Sequence, residues 1–247
     1  PAILVAVWQF VVSAEIVDRL FLSAPKDVAV QMWEMILDGS LWEHLAASLI
    51  RVIGGFLLAC AIGIGLGLLM GRLTVIRVLV APVLELLRPI SPVAWIPLAM
   101  LWFGLGNGTA WFVIFLAAFF PIVTSTYKGV TSVSVNDLRA AACCGINGFA
   151  LARKVILPSA LPDIMAGLRI GLGIGFMAVI AAELVAAQSG LGYLIERSRQ
   201  MFDTQTVLVG MVTVGIVGLV INTLMAAIER SLTAWRQAGS THQGGGR

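Results

Sequence analysis

Residues 45 to 70, LAASLIRVIGGFLLACAIGIGLGLLM, form an apolar run longer than the roughly 20 residues a helix needs to cross a bilayer. A segment like this constrains the fold more than any other feature. In hydrocarbon every backbone donor and acceptor must be satisfied internally, so a helix is the natural way for such a run to span. The run has companions at 2 to 22, 109 to 127, 161 to 187 and 205 to 228. One more is split in two, 74 to 88 and 93 to 104, by RPISPVAWIP. The expectation is an all-α membrane protein of about six transmembrane helices. Composition agrees: 59% of the residues are hydrophobic, 12% are charged and the mean hydropathy is +0.97. A soluble domain carries about a quarter charged residues.

Several function classes fall away. The net charge of +3 is small and scattered, with no basic stripe interleaved with aromatics, so nucleic acid is not expected as a partner. Cys60, Cys143 and Cys144 have no His or Asp at ligand spacing. They are read as small apolar fillers, not as disulfides or a metal site. GIGLG and GLGIG follow no strand, and no phosphate-binding G-x-x-x-x-G-K-[ST] occurs. Instead Gly63, Gly67 and Gly71 recur every four residues, as do Gly167, Gly171 and Gly175. That spacing lines one helix face and lets backbones approach closely. The spans lack the paired acids, His clusters or activated Ser of a membrane-embedded enzyme. His44 and His242 have no partner cluster and are assigned no chemistry.

Lys and Arg near helix ends set the orientation. Arg72, Arg77, Lys128, Arg139, Arg153, Lys154, Arg230 and Arg236 fall on one side, against Lys26, Arg197 and Arg199 on the other. The richer side is expected to be cytoplasmic, which puts 128 to 160 there and the loops at 104 to 108 and 188 to 204 outside. The opening run 2 to 22 lacks the basic start and small-residue cleavage site of a signal peptide. It is read as a first membrane helix, truncated at its start. Residues 26 to 43 are too charged to span and are expected at an interface. Residues 1 to 43 thus precede a core at 44 to 235, and 236 to 247 read as a disordered tail.

The stretch AACCGINGFALARKVILPSALP, 141 to 162, is punctuated and basic between apolar runs. Its physics suggests a helix capped at Asn136 or Asp137, a break at Gly145, then a second helix ending before Pro158. Two readings stand open: a docking knob for a cytoplasmic partner, or an ordinary interhelical loop. At the other break, Pro89, Pro92 and Pro97 remove N–H donors and bend the chain. Broken membrane helices often border solute paths. Arg88 begins this break, either paired to Glu85 or attracting an anion. Trp95 and Trp102 either line a path or belong to an interfacial belt. Glu183, in an apolar run, must face the bundle interior or water. A pairing role is favoured over solute contact, although it remains a path candidate.

The 139 to 158 segment also resembles the EAA motif of ABC importer membrane subunits. Ala140 and Ala141 stand at its Ala-Ala, Gly145 at its Gly, and Val155, Leu157 and Pro158 in its closing I-x-L-P. Arg139 replaces the Glu, and Val155 replaces the Ile. LWEHLAASLIRVIGGFLLACAIGIGLGLLMG, LLRPISPVAWIPLAMLWFGLG and LPSALPDIMAGLRIGLGIGFMAVIAAELVAAQSGLGYLI are similar to the nitrate, bicarbonate, taurine and alkanesulfonate branch, over roughly 40 to 235. AWIPLAMLWFG leans toward the taurine and sulfonate members. The resemblance implies a type I ABC importer permease of the bacterial plasma membrane, non-catalytic, with 139 to 158 as its coupling helix. It further implies a second permease subunit, two cytoplasmic ATPase subunits that bind the ATP and magnesium, and a solute-binding protein. The implied cargo is a small oxyanion. A permease for another small solute, or a secondary transporter or channel, is the alternative.

Overall fold

In the computed structural model, residues 23–240 are described, together with Trp8, Gln9 and Val12. The expected first span, 2 to 22, otherwise lies outside the described residues. Among these residues every regular element is helical. Helix α1 (Pro25–Leu37) starts on a proline, whose fixed φ suits the first helical turn. It buries Val28 and Met35 and leaves Trp33 and Leu37 exposed. A left-handed Gly39 turns the chain into α2 (Ser40–Arg72), and the Ser40 N–H donates to Asp38 Oδ1 at 2.8 Å. Then come α3 (Thr74–Leu87), a 3₁₀ turn (Pro92–Trp95) and α4 (Ile96–Phe103). Next are α5 (Asn107–Thr131), α6 (Val135–Cys143) and the short α7 (Gly148–Leu151). A π-turn (Ala152–Ile156) leads into α8 (Leu157–Ala186), followed by α9 (Leu191–Gln200) and α10 (Thr204–Ser240).

Among the described residues four helices are long and apolar enough to cross a membrane: Ser40–Arg72, Asn107–Thr131, Ala152–Ala186 and Thr204–Thr233. The proline-broken pair Thr74–Leu87 and Pro92–Phe103, bent by 88°, makes a fifth if counted as one span. The centre is α5, held between α2 and α8. Its Val113, Ile114, Ala118 and Ile122 are shut off from solvent. The two glycine faces read from the sequence are the surfaces that meet it. A Cβ at Gly67 would sit 2.6 Å from Thr126 Cβ, and one at Gly167 would sit 2.5 Å from Ser125 Cβ. Only glycine permits that approach, and dispersion contacts along the three helices supply what the hydrophobic effect cannot supply in lipid.

Two local expectations change. Pro158 does not end a helix. The Leu157 N–H reaches back to Ala152 O, an i to i−5 bond, and Pro158 then occupies the first turn of α8. A π-turn absorbs the missing donor, so the helix runs on into the span. The second change is at the C-terminus: α10 continues to Ser240, so residues 236–240, expected in the tail, are helical. Residues 241–247 lie outside the described part.

Candidate functional site

Four polar features interrupt this apolar bundle. The first is the break after α3. Arg88 caps α3 and is exposed, and Pro89, Pro92 and Pro97 carry the chain through the 88° bend. Two grooves meet at Arg88. One, of about 480 Å³, runs between α3 and α5 past Glu85, Thr124 and Tyr127. The other, of about 340 Å³, is bordered by Pro92, Pro121, Thr124, Ser125, Ile170 and Ile174. Arg88 forms no ion pair with Glu85 or with any other described residue. Its guanidinium therefore stands at an open, partly hydroxyl-lined surface. Trp95 and Trp102 both turn edge-on to Phe112, with centroids 6.3 and 5.8 Å away, and neither borders these two grooves. Pro97 sits in the first turn of α4, also outside them.

Glu183 belongs to a second feature, at the end of the bundle where α5 begins and α8 ends. It is 1% exposed, and Arg51 Nη1 donates to its Oε1 at 2.8 Å. The Ser48 hydroxyl, 2.8 Å from both carboxylate oxygens, also donates to it, as does the Gly192 N–H to Oε2 at 3.0 Å. Three more of Arg51's five N–H donors go to Asn107 Oδ1 at 2.8 Å, Ser189 O at 2.6 Å and Ser189 Oγ at 2.8 Å. The Leu191 N–H donates to Ser48 Oγ, and the Gly190 N–H to His44 Nδ1. Gly190 has φ +109°, and a Cβ there would run into the Glu183 carboxylate. The cluster knots α2, α5, α8 and α9 together and fixes the 187–190 loop. Glu183 is paired and lines none of the grooves described here, and His44 is one of the ties. Arg51 was not singled out from the sequence. A charge inside the 45 to 70 run was the available signal.

A third feature was also missed. Arg169, Asn222 and Glu229 meet between α8 and α10. Arg169 Nε is 3.2 Å from Asn222 Oδ1, and Nη1 is 3.3 Å from Glu229 Oε2. Asn222 and Glu229 stand seven residues apart, on one face of α10.

The fourth feature projects from the opposite end of the bundle. Ser134 caps α6, its Oγ accepting from the Asn136 N–H at 3.2 Å, so the cap is Ser134 and not Asn136 or Asp137. Gly145, at φ +72°, closes the helix in the Schellman manner. The Ile146 N–H bonds Ala141 O at 2.9 Å and the Gly145 N–H bonds Ala142 O at 3.0 Å. Ala141 and the half-buried Leu138 face the bundle, where Leu138 meets a cluster of Val130, Ile156 and Ala160. Arg139, Ala140 and Gly145 face outward, and Arg139 has no ion-pair partner among the described residues. Val155 is half-buried in the π-turn, while Leu157 and Pro158 are exposed. Cys143 and Cys144 are exposed on the same projection, so they are not the apolar fillers expected, and Cys60 is half-buried. The outcome is a short helical knob with small residues on its outer face.

A family model described as binding-protein-dependent transport system inner membrane component matches residues 63–234. The chain is 37% identical to the taurine transport system permease protein TauC of Escherichia coli, over 95% of this chain and 87% of the relative. It is 34% identical to a putative aliphatic sulfonates transport permease protein SsuC of Bacillus subtilis, over 96% and 86% respectively. The nitrate import permease protein NrtB of Leptolyngbya laminosa is 31% identical over 92% of this chain and 83% of its own length. Among solved structures, an inward-facing MetNI methionine ABC transporter has a chain that matches at a TM-score of 0.64 and 21% identity, covering 80% of this chain and 96% of that one.

Proposed function

The chain belongs to the family of binding-protein-dependent transport system inner membrane components, and on that premise we propose that it lines the path of a small oxyanion through the membrane. Its place as a non-catalytic, multi-pass ABC importer permease with the type I fold is the ground this stands on. The observation that carries the anion reading is Arg88. Its guanidinium has no acid partner among the described residues, and it stands where two grooves meet at the broken span. A fixed positive charge beside Thr124 and Ser125 suits a solute with a compact negative head such as a sulfonate or nitrate. The names of the relatives, for taurine, aliphatic sulfonates and nitrate, point the same way.

In this reading two membrane subunits, two copies or one with a close relative, enclose the path, because the Arg88 grooves are open on this chain alone. A solute-binding protein delivers the anion. The α6 knob enters a groove on an ATPase subunit that binds the ATP and magnesium, and the outward Arg139 meets an acid or neutral group there. The test is uptake of labelled taurine, methanesulfonate and nitrate by cells carrying the whole system. We expect at least one to be imported, with Arg88→Ala lowering its uptake several-fold at unchanged membrane amounts. Import of none of them overturns the anion reading. If uptake is unchanged in Arg88→Ala, Arg88 is removed from the path.

A further inference from the structure

Arg169 lies between Gly167, which packs on Pro121 and Ser125, and Gly171, which packs on Ala118 and Ile122. That register places it level with residues 118–125 of α5, inside the span but in the half that ends at Lys128. An arginine at that depth is expensive, and it persists where it faces protein or a water-filled cavity. The Arg169 side chain is nevertheless 42% exposed, and Glu229 is 25% exposed. Two grooves, of about 400 and 390 Å³, open onto it. Of its five N–H donors, one meets Asn222 and one meets Glu229, both at the long end of hydrogen-bond distance. The rest have no partner among the described residues. Ile170 and Ile174 border both the Arg169 groove and the smaller Arg88 groove. The two guanidiniums therefore flank one isoleucine ridge on α8.

We propose that Arg169 is a solute-contacting, specificity-determining residue, the second positive station of the anion path, with Glu229 as the counter-charge that holds it when no anion is present. This rests on the anion reading given above. Arg169's planar fork matches two oxygens of a sulfonate, nitrate or carboxylate. The loose bond to Glu229 keeps a cation inside the span neutralised, yet leaves donors free for an arriving anion. The Glu229 carboxylate also repels that anion, so capture is weak enough to permit release.

The test is uptake of labelled methanesulfonate, taurine and nitrate by the complete transport system, with membrane amounts and ATPase co-purification measured alongside. The variants are Arg169→Gln, Arg169→Lys, Glu229→Gln and the double Gln variant. Arg169→Gln is expected to lower uptake at least tenfold with assembly intact, and Arg169→Lys to retain more than Gln does. Glu229→Gln is expected to lower KM several-fold by removing the repulsion. The double variant should stay as low as Arg169→Gln. Should Arg169→Gln fail to assemble, the Glu229→Gln shift in KM and the partial rescue by Lys still decide the matter. Wild-type uptake in Arg169→Gln, or in the double variant, overturns the proposal, because a pair that works when neutralised is only a structural tie. An unchanged KM in Glu229→Gln overturns it as well. If the unaltered system imports none of the three anions, the anion reading fails and this proposal fails with it. If it imports one while Arg169→Gln has no effect, only this proposal fails.

Discussion

Arg51 and Arg169 each meet a glutamate inside the bundle, but their surroundings differ. The Arg51 side chain is 6% exposed and its Glu183 partner 0%, against 42% and 25% for Arg169 and Glu229. The Arg51 pair closes at 2.8 Å and the Arg169 pair at 3.3 Å. Ser48, Asn107, Ser189 and Gly192 complete the first pair, while Asn222 alone supports the second. A buried pair with four of its five guanidinium donors matched has little left for a ligand and resists change. A loose pair on a groove can exchange partners. The same two residue types therefore serve as a clamp at one end of the bundle and as an exchangeable contact between α8 and α10.

The largest effect is expected from breaking the clamp on one side. Arg51→Leu leaves the Glu183 carboxylate buried without its cation, a loss of about 3–5 kcal/mol. Thermal unfolding of the purified complex should shift down sharply and membrane amounts should fall. Arg169→Leu, measured beside it, should move unfolding much less, since water in the grooves reaches its partner. Equal shifts would erase the distinction between the pairs. Gly192→Ala probes the clamp without touching a charge. The new Cβ would lie 2.6 Å from Ile180 O and 2.7 Å from Glu183 Cβ. Overpacking of this kind costs about 1–3 kcal/mol. An unshifted melting curve for Gly192→Ala would mean that the 187–190 loop yields freely and that the clamp is softer than its geometry.

The α6 knob adds a region where function and stability should separate. A side chain at Gly145 meets nothing within 4 Å, but the backbone there has φ +72°. Gly145→Asp should therefore cost the chain only about 1–2 kcal/mol of local strain, with membrane amounts kept. A bulky charge must then be desolvated wherever an ATPase groove closes on the knob. Co-purification of the ATPase and uptake should both be lost. Full association together with full uptake would rule out α6 as the coupling element.

Local signals were legible in the sequence, and long-range pairings were not. The four-residue glycine spacings gave the two faces that grip α5, because helical periodicity is a property of the segment itself. The prolines after Arg88 gave the break, and Gly145 gave the turn. Glu183 was read as paired, but its partner lies 132 residues away in sequence, beyond what any periodicity links. Arg88 and Glu85 have helical spacing for a pair and form none, although both line one groove. Arg169 escaped notice as one charge among apolar neighbours. What placed it was the packing of Gly167 and Gly171 on α5, together with the approach of Asn222 and Glu229 on α10. Pro158 looked like a helix end because the rule for proline assumes i to i−4 bonding, and the π-turn before it escapes that rule.

The smallest effect, and the finest test of the comparison, comes from removing one neutral helper from each pair. Ser48→Ala deletes a hydroxyl that donates to Glu183 and accepts from the Leu191 N–H, all of it buried. Both partners are left short in a dry site, so the cost should be about 1–3 kcal/mol. Asn222→Ala deletes an acceptor 3.2 Å from Arg169 Nε at an exposed contact. Interhelical polar contacts in membranes average about 0.6 kcal/mol, and the freed N–H can turn to water in the groove, so unfolding should move by less than that. Asn222→Ala removes three heavy atoms and Ser48→Ala only one, and neither changes the charge. The difference between their melting shifts therefore measures how closed each site is. Uptake should respond in the opposite order: Asn222→Ala frees Arg169 to move and should alter KM, while Ser48→Ala should change amounts of protein more than KM. A larger unfolding shift for Asn222→Ala than for Ser48→Ala would reverse the assignment of clamp and exchangeable contact.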